Sequence, residues 1–263
     1  MLPELASFIS DKTKFGDLHV HTKFSNDSDE EIEEYVKKAI ELGYGFVGFS
    51  DHMDVDQNDP DGSFLNYAGY RVDFERVKKK YENDIKMFFG VEIDYQSIFL
   101  EEIQNFCKQY SFDFIIGSVH CIFGKQLYRL MNGKEPLTKC YEEYVKENIK
   151  MMRSIPLDIV GHMDFPRRYT RGEEDICAAD IFSEHSSQLL KSVLETWVLL
   201  EINTSNLLKG LSSFMPCKEF IQKYYDATKR TVLASSDSHS VKDFVKTNDI
   251  RYELWATYGR PLG

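Results

Sequence analysis

The chain lacks a thiolate pattern. Its five cysteines, Cys107, Cys121, Cys140, Cys177 and Cys217, are odd in number, and no Cys-x-x-Cys pair occurs. That excludes a simple disulfide framework and a thiolate zinc ribbon, and it fits reduced thiols in a cytoplasmic protein. Long apolar runs are missing too. No stretch approaches the ~20 residues that a membrane span needs. The opening MLPELASFISDKTK has no basic start followed by an apolar segment, so no secretory signal is expected. Positive charge is scarce, with 32 Lys and Arg against 43 Asp and Glu, a net charge of −11. Without a basic stripe, duplex nucleic acid and anionic membrane are poor partners. No repeat or low-complexity linker interrupts the 263 residues, so one domain spanning 1–263 is expected.

What is there is strand–helix alternation. Strands are predicted at Phe15–Val20, Gly45–Ser50, Lys86–Ile93, Phe112–Val119, Leu157–Val160, Trp197–Ile202 and Thr231–Ala234. Between them the 3.6-residue period predicts helices at Ser28–Leu42, Arg71–Asn83, Ser97–Gln109, Thr138–Arg153, Asp175–Leu194 and Pro216–Ala227. A short helix at Ser240–Lys246 closes the series. Ser28 and Glu31 have capping-box spacing, and Ile32, Tyr35, Val36, Ala39 and Ile40 make an apolar stripe. The alternation reads as an α/β fold with a parallel sheet, most simply closed into a barrel with its site at the C-terminal ends of the strands. An open doubly wound sheet is the alternative.

Six of the seven histidines fall where predicted strands end. His19 and His21 end the first, His52 the second, His120 the fourth, His162 the fifth and His239 the seventh. Glu92 ends the third, Glu201 and Asn203 the sixth, and Asp237 precedes His239. Positions 19 and 21 are two apart on an extended segment, so their side chains share a face and can grip one ion. Imidazole with carboxylate suits zinc, iron or manganese rather than calcium. His185 is the exception, at helical spacing from Phe182, Leu189 and Val193, and reads as a partly buried core residue.

Three apparent motifs fail on context. Gly43–Gly48 spells GxGxxG, but it leaves a helix and enters a strand, the reverse of a dinucleotide fingerprint. Asp54–Asn58 opens like a calcium loop but has Asp59 and Leu65 where Gly and Glu are required. His120-Cys121 lacks the arginine a thiol phosphatase places six residues on, where Leu127 stands.

The set HxH, SDH, GxE, GSVH, GHxD and SDSH resembles the polymerase-and-histidinol-phosphatase (PHP) family of metallophosphoesterases over nearly the whole chain. HTKFSNDS, GHMDFPRRY and EINTSNLLKG are most similar to its stand-alone histidinol phosphate phosphatases. The resemblance implies a distorted (βα)7 barrel holding three divalent ions. His19, His21, Glu92 and Asp237 would hold the first. Glu92, His120 and His162 would hold the second, with Glu92 bridging. Asp27, His52 and His239 would hold the third, Asp27 filling a place that is histidine in some relatives.

The implied reaction is hydrolysis of L-histidinol phosphate to L-histidinol and phosphate in histidine biosynthesis. A hydroxide bridging two ions would attack, and cations would hold the non-bridging oxygens. Arg168 is the leading phosphate clamp and Arg167 the second. Asp164 is a candidate general acid by position, and His239 joins the catalytic set. Phe123, Tyr169, Asn203 and Asn206 are candidates for the substrate's other end, and Asp54 or Asp56 for a cationic amine. The alternatives are another phosphate ester, phosphotyrosine or a nucleotide, and a non-catalytic metal-binding protein. Oligomeric state is left open.

Overall fold

The computed structural model describes residues 1–11, 13–60, 62–131, 136–169, 173–211 and 214–258, and backbone only for 173–183. Seven strands run parallel in chain order: β1 (Gly16–Asp17), β2 (Phe46–Phe49), β3 (Lys86–Asp94), β4 (Phe114–Ser118), β5 (Ile159–Val160), β6 (Leu199–Asn203) and β7 (Leu233–Ser235). The sheet curls until its two edges nearly meet. At the seam Val20 bridges Ser238, and the His21 N–H donates to the Ser238 carbonyl at 2.9 Å. Helices cover the outside, so this is the expected distorted (βα)7 barrel rather than an open sheet.

Period-two alternation explains how β3 serves both core and site. Its outward residues Phe89, Val91 and Ile93 join the large cluster beneath the helices. Phe88 instead joins a second cluster with Leu18, Phe46, Phe114, Ile116, Ile159, Leu199 and Leu233 inside the barrel. Gly90 follows on that inward face because Phe114 fills the space: a Cβ there would lie 2.2 Å from the Phe114 ring. One step further, Glu92 emerges at the rim. A two-residue strand, His52–Met53, pairs with β3 and sets His52 beside Glu92.

The helix stripe Ile32, Tyr35, Val36 and Ala39 is buried as expected, but the helix starts at Ile32 rather than Ser28. The Ser28 hydroxyl lies 3.2 Å from the His21 carbonyl and 3.0 Å from the His239 carbonyl. It ties Asp27 to the seam instead of capping a helix. The strands are also shorter than predicted at β1 and β5. Among the unpredicted elements are two helices near positions 3 and 258. Pro3–Ser10 places Leu5 and Ile9 in the floor of the barrel, with the Phe8 ring against Phe46 and Phe88. Asn248–Tyr258 buries Arg251, which donates to Asp17 Oδ2 at 2.5 Å. Asp17 in turn accepts from the backbone N–H groups of His19 and Ser236, on both sides of the seam.

The 53–69 loop leads into a helix at Tyr67–Lys80, earlier than predicted, capped by Asn66 accepting from the Gly69 N–H. The 121–136 loop contains a hairpin, Cys121–Ile122 with Lys125–Gln126, and a helix at Leu127–Met131. His185 is half-buried on the helix Glu173–Thr196. Among the described residues Cys107, Cys121 and Cys217 are free thiols, and Cys177 lies outside those whose side chains are described. No described helix is long and apolar enough to cross a membrane.

Candidate metal centre

The strand ends deliver their side chains to one point, and Glu92 lies at its middle. Its Oε2 is 2.9 Å from His52 Nδ1, 3.2 Å from His19 Nε2 and 3.5 Å from His21 Nε2. Its Oε1 is 3.0 Å from His162 Nε2, 3.8 Å from His120 Nε2 and 2.5 Å from the Ser118 hydroxyl, which donates to it. Asp237 Oδ1 stands 3.3 Å from His21 Nε2 and 3.9 Å from His239 Nδ1. Asp27 Oδ2 lies 3.0 Å from His239 Nε2 and 3.7 Å from His52 Nε2. All nine ligand candidates named from the sequence are thus brought together.

A hydrogen-bonded network does not account for this cluster. His19 Nε2, His21 Nε2 and Glu92 Oε2 are buried with no hydrogen-bond partner. Orphaned buried polar atoms are costly, and three that converge make sense if a cation completes them. Three ligand groupings have donor atoms all within 4.8 Å of one another: His19, His21 and Asp237; His19, Glu92 and His162; His21, His52 and His239. The residues present therefore fit divalent ions.

Electrostatics point the same way. Burial alone would raise the pKa of Glu92, but the facing imidazoles, chiefly His19 and His52, override it and hold the carboxyl well below its usual range. Asp237 follows the same logic, with His19, His21, His239 and Arg168 against burial. His19 is the inverse case. Burial favours its neutral form, yet Glu201, Glu92 and Asp237 together lift it well above the usual imidazole value. His21 is pushed well below it by burial and by His52 and His239.

Several supporting residues have roles that the sequence does not assign, although Glu201 stands at a predicted strand end. Glu201 Oε1 is 2.6 Å from His19 Nδ1, and its Oε2 accepts from the His162 N–H at 2.5 Å. That contact holds the Nδ1 proton of His19 and leaves Nε2 for the cluster. Asp94 does the same for His120, 3.4 Å from its Nδ1 and accepting its backbone N–H. Asp51 accepts from the Thr22 N–H and the Ser25 hydroxyl and is fully buried. In sequence Asp94 stands two positions from Glu92 and Asp51 one position from His52, whereas Glu201 has no ligand near it and only its place at a predicted strand end marks it.

A cavity of about 400 Å³ opens over the cluster, lined in part by Asp27, His52, Asp54, His120, Phe165, Arg168, Tyr169, Asp237 and His239. Arg168 stacks over Phe165 at 4.5 Å and reaches Asp237 Oδ2 at 3.3 Å. Other sequence candidates stand elsewhere. Asp164 is fully buried at a left-handed φ of +78°, where Tyr141 donates to it at 3.4 Å and Arg167 lies 4.0 Å away. Neither Asp164 nor Arg167 lines the cavity. Phe123 sits at the hairpin tip, with φ of +53° beside Gly124 at +64°, and packs under Lys139. Phe123 lines a second cavity with Ile98 and Glu147 rather than the cavity over the cluster. Asn203 and Asn206 are buried scaffold: Asn203 Oδ1 accepts from the Ser205 N–H, and Asn206 Oδ1 accepts from Arg168 Nε. Asp56 is not among the lining residues.

A parallel barrel whose C-terminal rim carries imidazoles and carboxylates around one buried glutamate defines the class of metal-binding, TIM-like hydrolase barrels. The chain belongs to the PHP domain family, which matches residues 17–205. A Clostridium acetobutylicum protein named "Probable histidinol-phosphatase" is 28% identical over 88% of this chain and 89% of its own. The "Histidinol-phosphatase" of Lactococcus lactis is 30% identical over 72% of this chain and 71% of its own. The crystal structure of histidinol phosphate phosphatase from L. lactis, complexed with zinc, L-histidinol and phosphate, superposes with a TM-score of 0.74 at 23% identity, covering 92% of this chain and 94% of that one.

Proposed function

We propose that this protein is a metal-dependent phosphatase that hydrolyses L-histidinol phosphate to L-histidinol and inorganic phosphate. The observation that carries this reading is the cavity itself, where the ligand cluster and Arg168 face the same space. The names of the curated relatives, and the ligands of the L. lactis structure, supply the substrate. His19, His21, Glu92 and Asp237 would hold one ion, Glu92, His120 and His162 a second, and Asp27, His52 and His239 a third, each zinc, iron or manganese. Bound ions of this kind supply Lewis acidity and a water activated near neutral pH.

The chain's own residues do the rest. Arg168 binds and orients the phosphate, held from behind by Phe165 and Asn206. Its planar fork suits a phosphate better than a lysine would. Asp54, on the same cavity, is a carboxylate for the substrate's ammonium group. Burial and the neighbouring Asp94 raise it to about 7, and an arriving cation would pull it back down. A small-molecule phosphate monoester is the partner, with no role for nucleic acid.

A kcat/KM comparison across phosphate monoesters with metal-reconstituted enzyme tests the reading. L-histidinol phosphate should exceed phosphotyrosine peptides and nucleoside monophosphates by at least about 100-fold. Turnover confined to either of those overturns the substrate. Full metal content with no turnover on any ester makes the protein a binder rather than an enzyme.

A further inference from the structure

Asp237 has two edges with different work to do. Its Oδ1 faces His19, His21 and His239, while its Oδ2 is taken by the protein: Ser205 donates its hydroxyl proton at 2.9 Å and Arg168 approaches at 3.3 Å. The residue sits at a left-handed φ of +52°, a backbone state unfavourable for a non-glycine residue that persists only when the surroundings fix it. Ser205 is the group that touches everything involved. Its hydroxyl also accepts from the Arg168 guanidinium, and its single proton is shared between Asp237 Oδ2 and Asn203 Oδ1, 2.5 Å away, which accepts the Ser205 N–H as well. Ser205 is buried, at the first turn of the short helix Ser205–Leu208 that follows β6.

The hydroxyl has one proton and two lone pairs, so its bonds can be reassigned without moving the backbone. Arg168 is anchored through Nε to Asn206, which leaves its NH2 end to be shared between Asp237, Ser205 and the cavity. An anion arriving in that cavity competes with Asp237 for the same NH2. Once the guanidinium turns to it, Asp237 Oδ2 keeps only the Ser205 proton.

We infer that Ser205 is a positioning residue that couples the phosphate clamp to a metal ligand. It steadies Arg168 before phosphate binds, and it holds the Oδ1 edge of Asp237 toward the imidazoles when Arg168 engages phosphate. The inference rests on the phosphatase reading for the role of Arg168, but its central contact is with Asp237 and does not depend on which ester is hydrolysed.

The test uses Ser205→Ala, Ser205→Thr and Arg168→Met in the full chain, alone and combined. Four quantities are read: melting temperature, zinc affinity by competition with a chelator, affinity for inorganic phosphate as an inhibitor, and kcat/KM. Ser205→Ala should weaken both zinc and phosphate binding about tenfold, in line with the loss of a hydrogen bond to a charged group. Ser205→Thr keeps the hydroxyl and should restore both. The alanine penalty on phosphate should shrink to less than about twofold in the Arg168→Met background, because the shared partner is gone. Unchanged zinc and phosphate affinities in Ser205→Ala overturn the inference. So does an undiminished phosphate penalty in Arg168→Met, or a loss explained by melting temperature that threonine does not repair. If wild type hydrolyses no histidinol phosphate, the substrate reading falls, while the zinc and inorganic phosphate measurements still decide the role of Ser205.

Discussion

His19 carries a proton that an arriving ion must displace. Its raised pKa, set against burial by Glu201, Glu92 and Asp237, means the metal-free protein holds the imidazolium at neutral pH. The sign follows from linkage. A folded-state pKa above the unfolded value contributes stability that is complete below ~6.5 and is lost as pH rises through the raised value. Metal binding should therefore release protons near pH 7 and tighten as pH increases. Calorimetry in buffers of different ionisation enthalpy measures this, and a proton count of zero would contradict it. Glu201→Gln keeps the shape but weakens the contact that directs His19, so metal affinity should fall about 10–100-fold, read by competition with a chelator. Cys121 tests the opposite expectation. Burial, with Asp94 and Asp59 beside it, drives its thiol far above the usual range, so no thiolate forms there. Cys121→Ser should keep kcat/KM within roughly threefold, well under the ~1.4 kcal/mol of a tenfold loss.

At the scale of single elements, β3 shows how one strand meets three demands by alternation. Phe88 packs the interior, Gly90 yields room to Phe114, and Glu92 reaches the rim. Gly90→Ala would drive a methyl into the Phe114 ring, so it should destabilise by about 1–3 kcal/mol or more, read as a lower urea midpoint. Phe114→Leu should recover part of that loss, since it vacates the same space. Periodicity made these elements legible. The apolar stripe at Ile32, Tyr35, Val36 and Ala39, and the run Phe112–Val119, have physical periods that sequence displays directly. The rest was hidden for reasons that are equally physical. Asn248–Tyr258 buries an arginine, so its inward face does not look apolar. The ligand carriers announce themselves because histidine is rare, whereas Glu201, Asp94 and Ser205 are common residue types whose importance lies in where a neighbouring strand brings them. Phe123 and Asp164 were misplaced because left-handed turns redirect a side chain in ways that spacing does not encode.

The whole molecule carries −11, and only a few of those charges reach the site. Glu92, Asp237 and Asp27 face imidazoles, while pairs such as Lys37 with Glu34 and Lys80 with Glu33 spread the acidity over the surface. Divalent ions would offset the local negative charge and let a phosphate approach an otherwise acidic protein. Stripping them with a chelator removes a ligand of the folded state. At an ion concentration ~100 times its Kd the stabilisation is about 2.7 kcal/mol, which for a chain of this size corresponds to a fall in Tm on the order of 5–10 °C. A thermal melt before and after chelation checks it, and no shift would show that the cluster holds itself together without ions.

The barrel seam gives those ions a second job. His19 and His21 come from one side of it, and Asp237 and His239 from the other, while Ser236 and His19 stand 217 positions apart in the chain. An ion gripped from both sides would be a buckle between segments more than 200 positions apart. It closes a very long loop reversibly, much as a cross-link would, and Arg251 fastens the same gap from below through Asp17. Damage to the helix Asn248–Tyr258 should then be felt first as leakage of metal, so metal retention becomes a gauge of whether the seam is still closed.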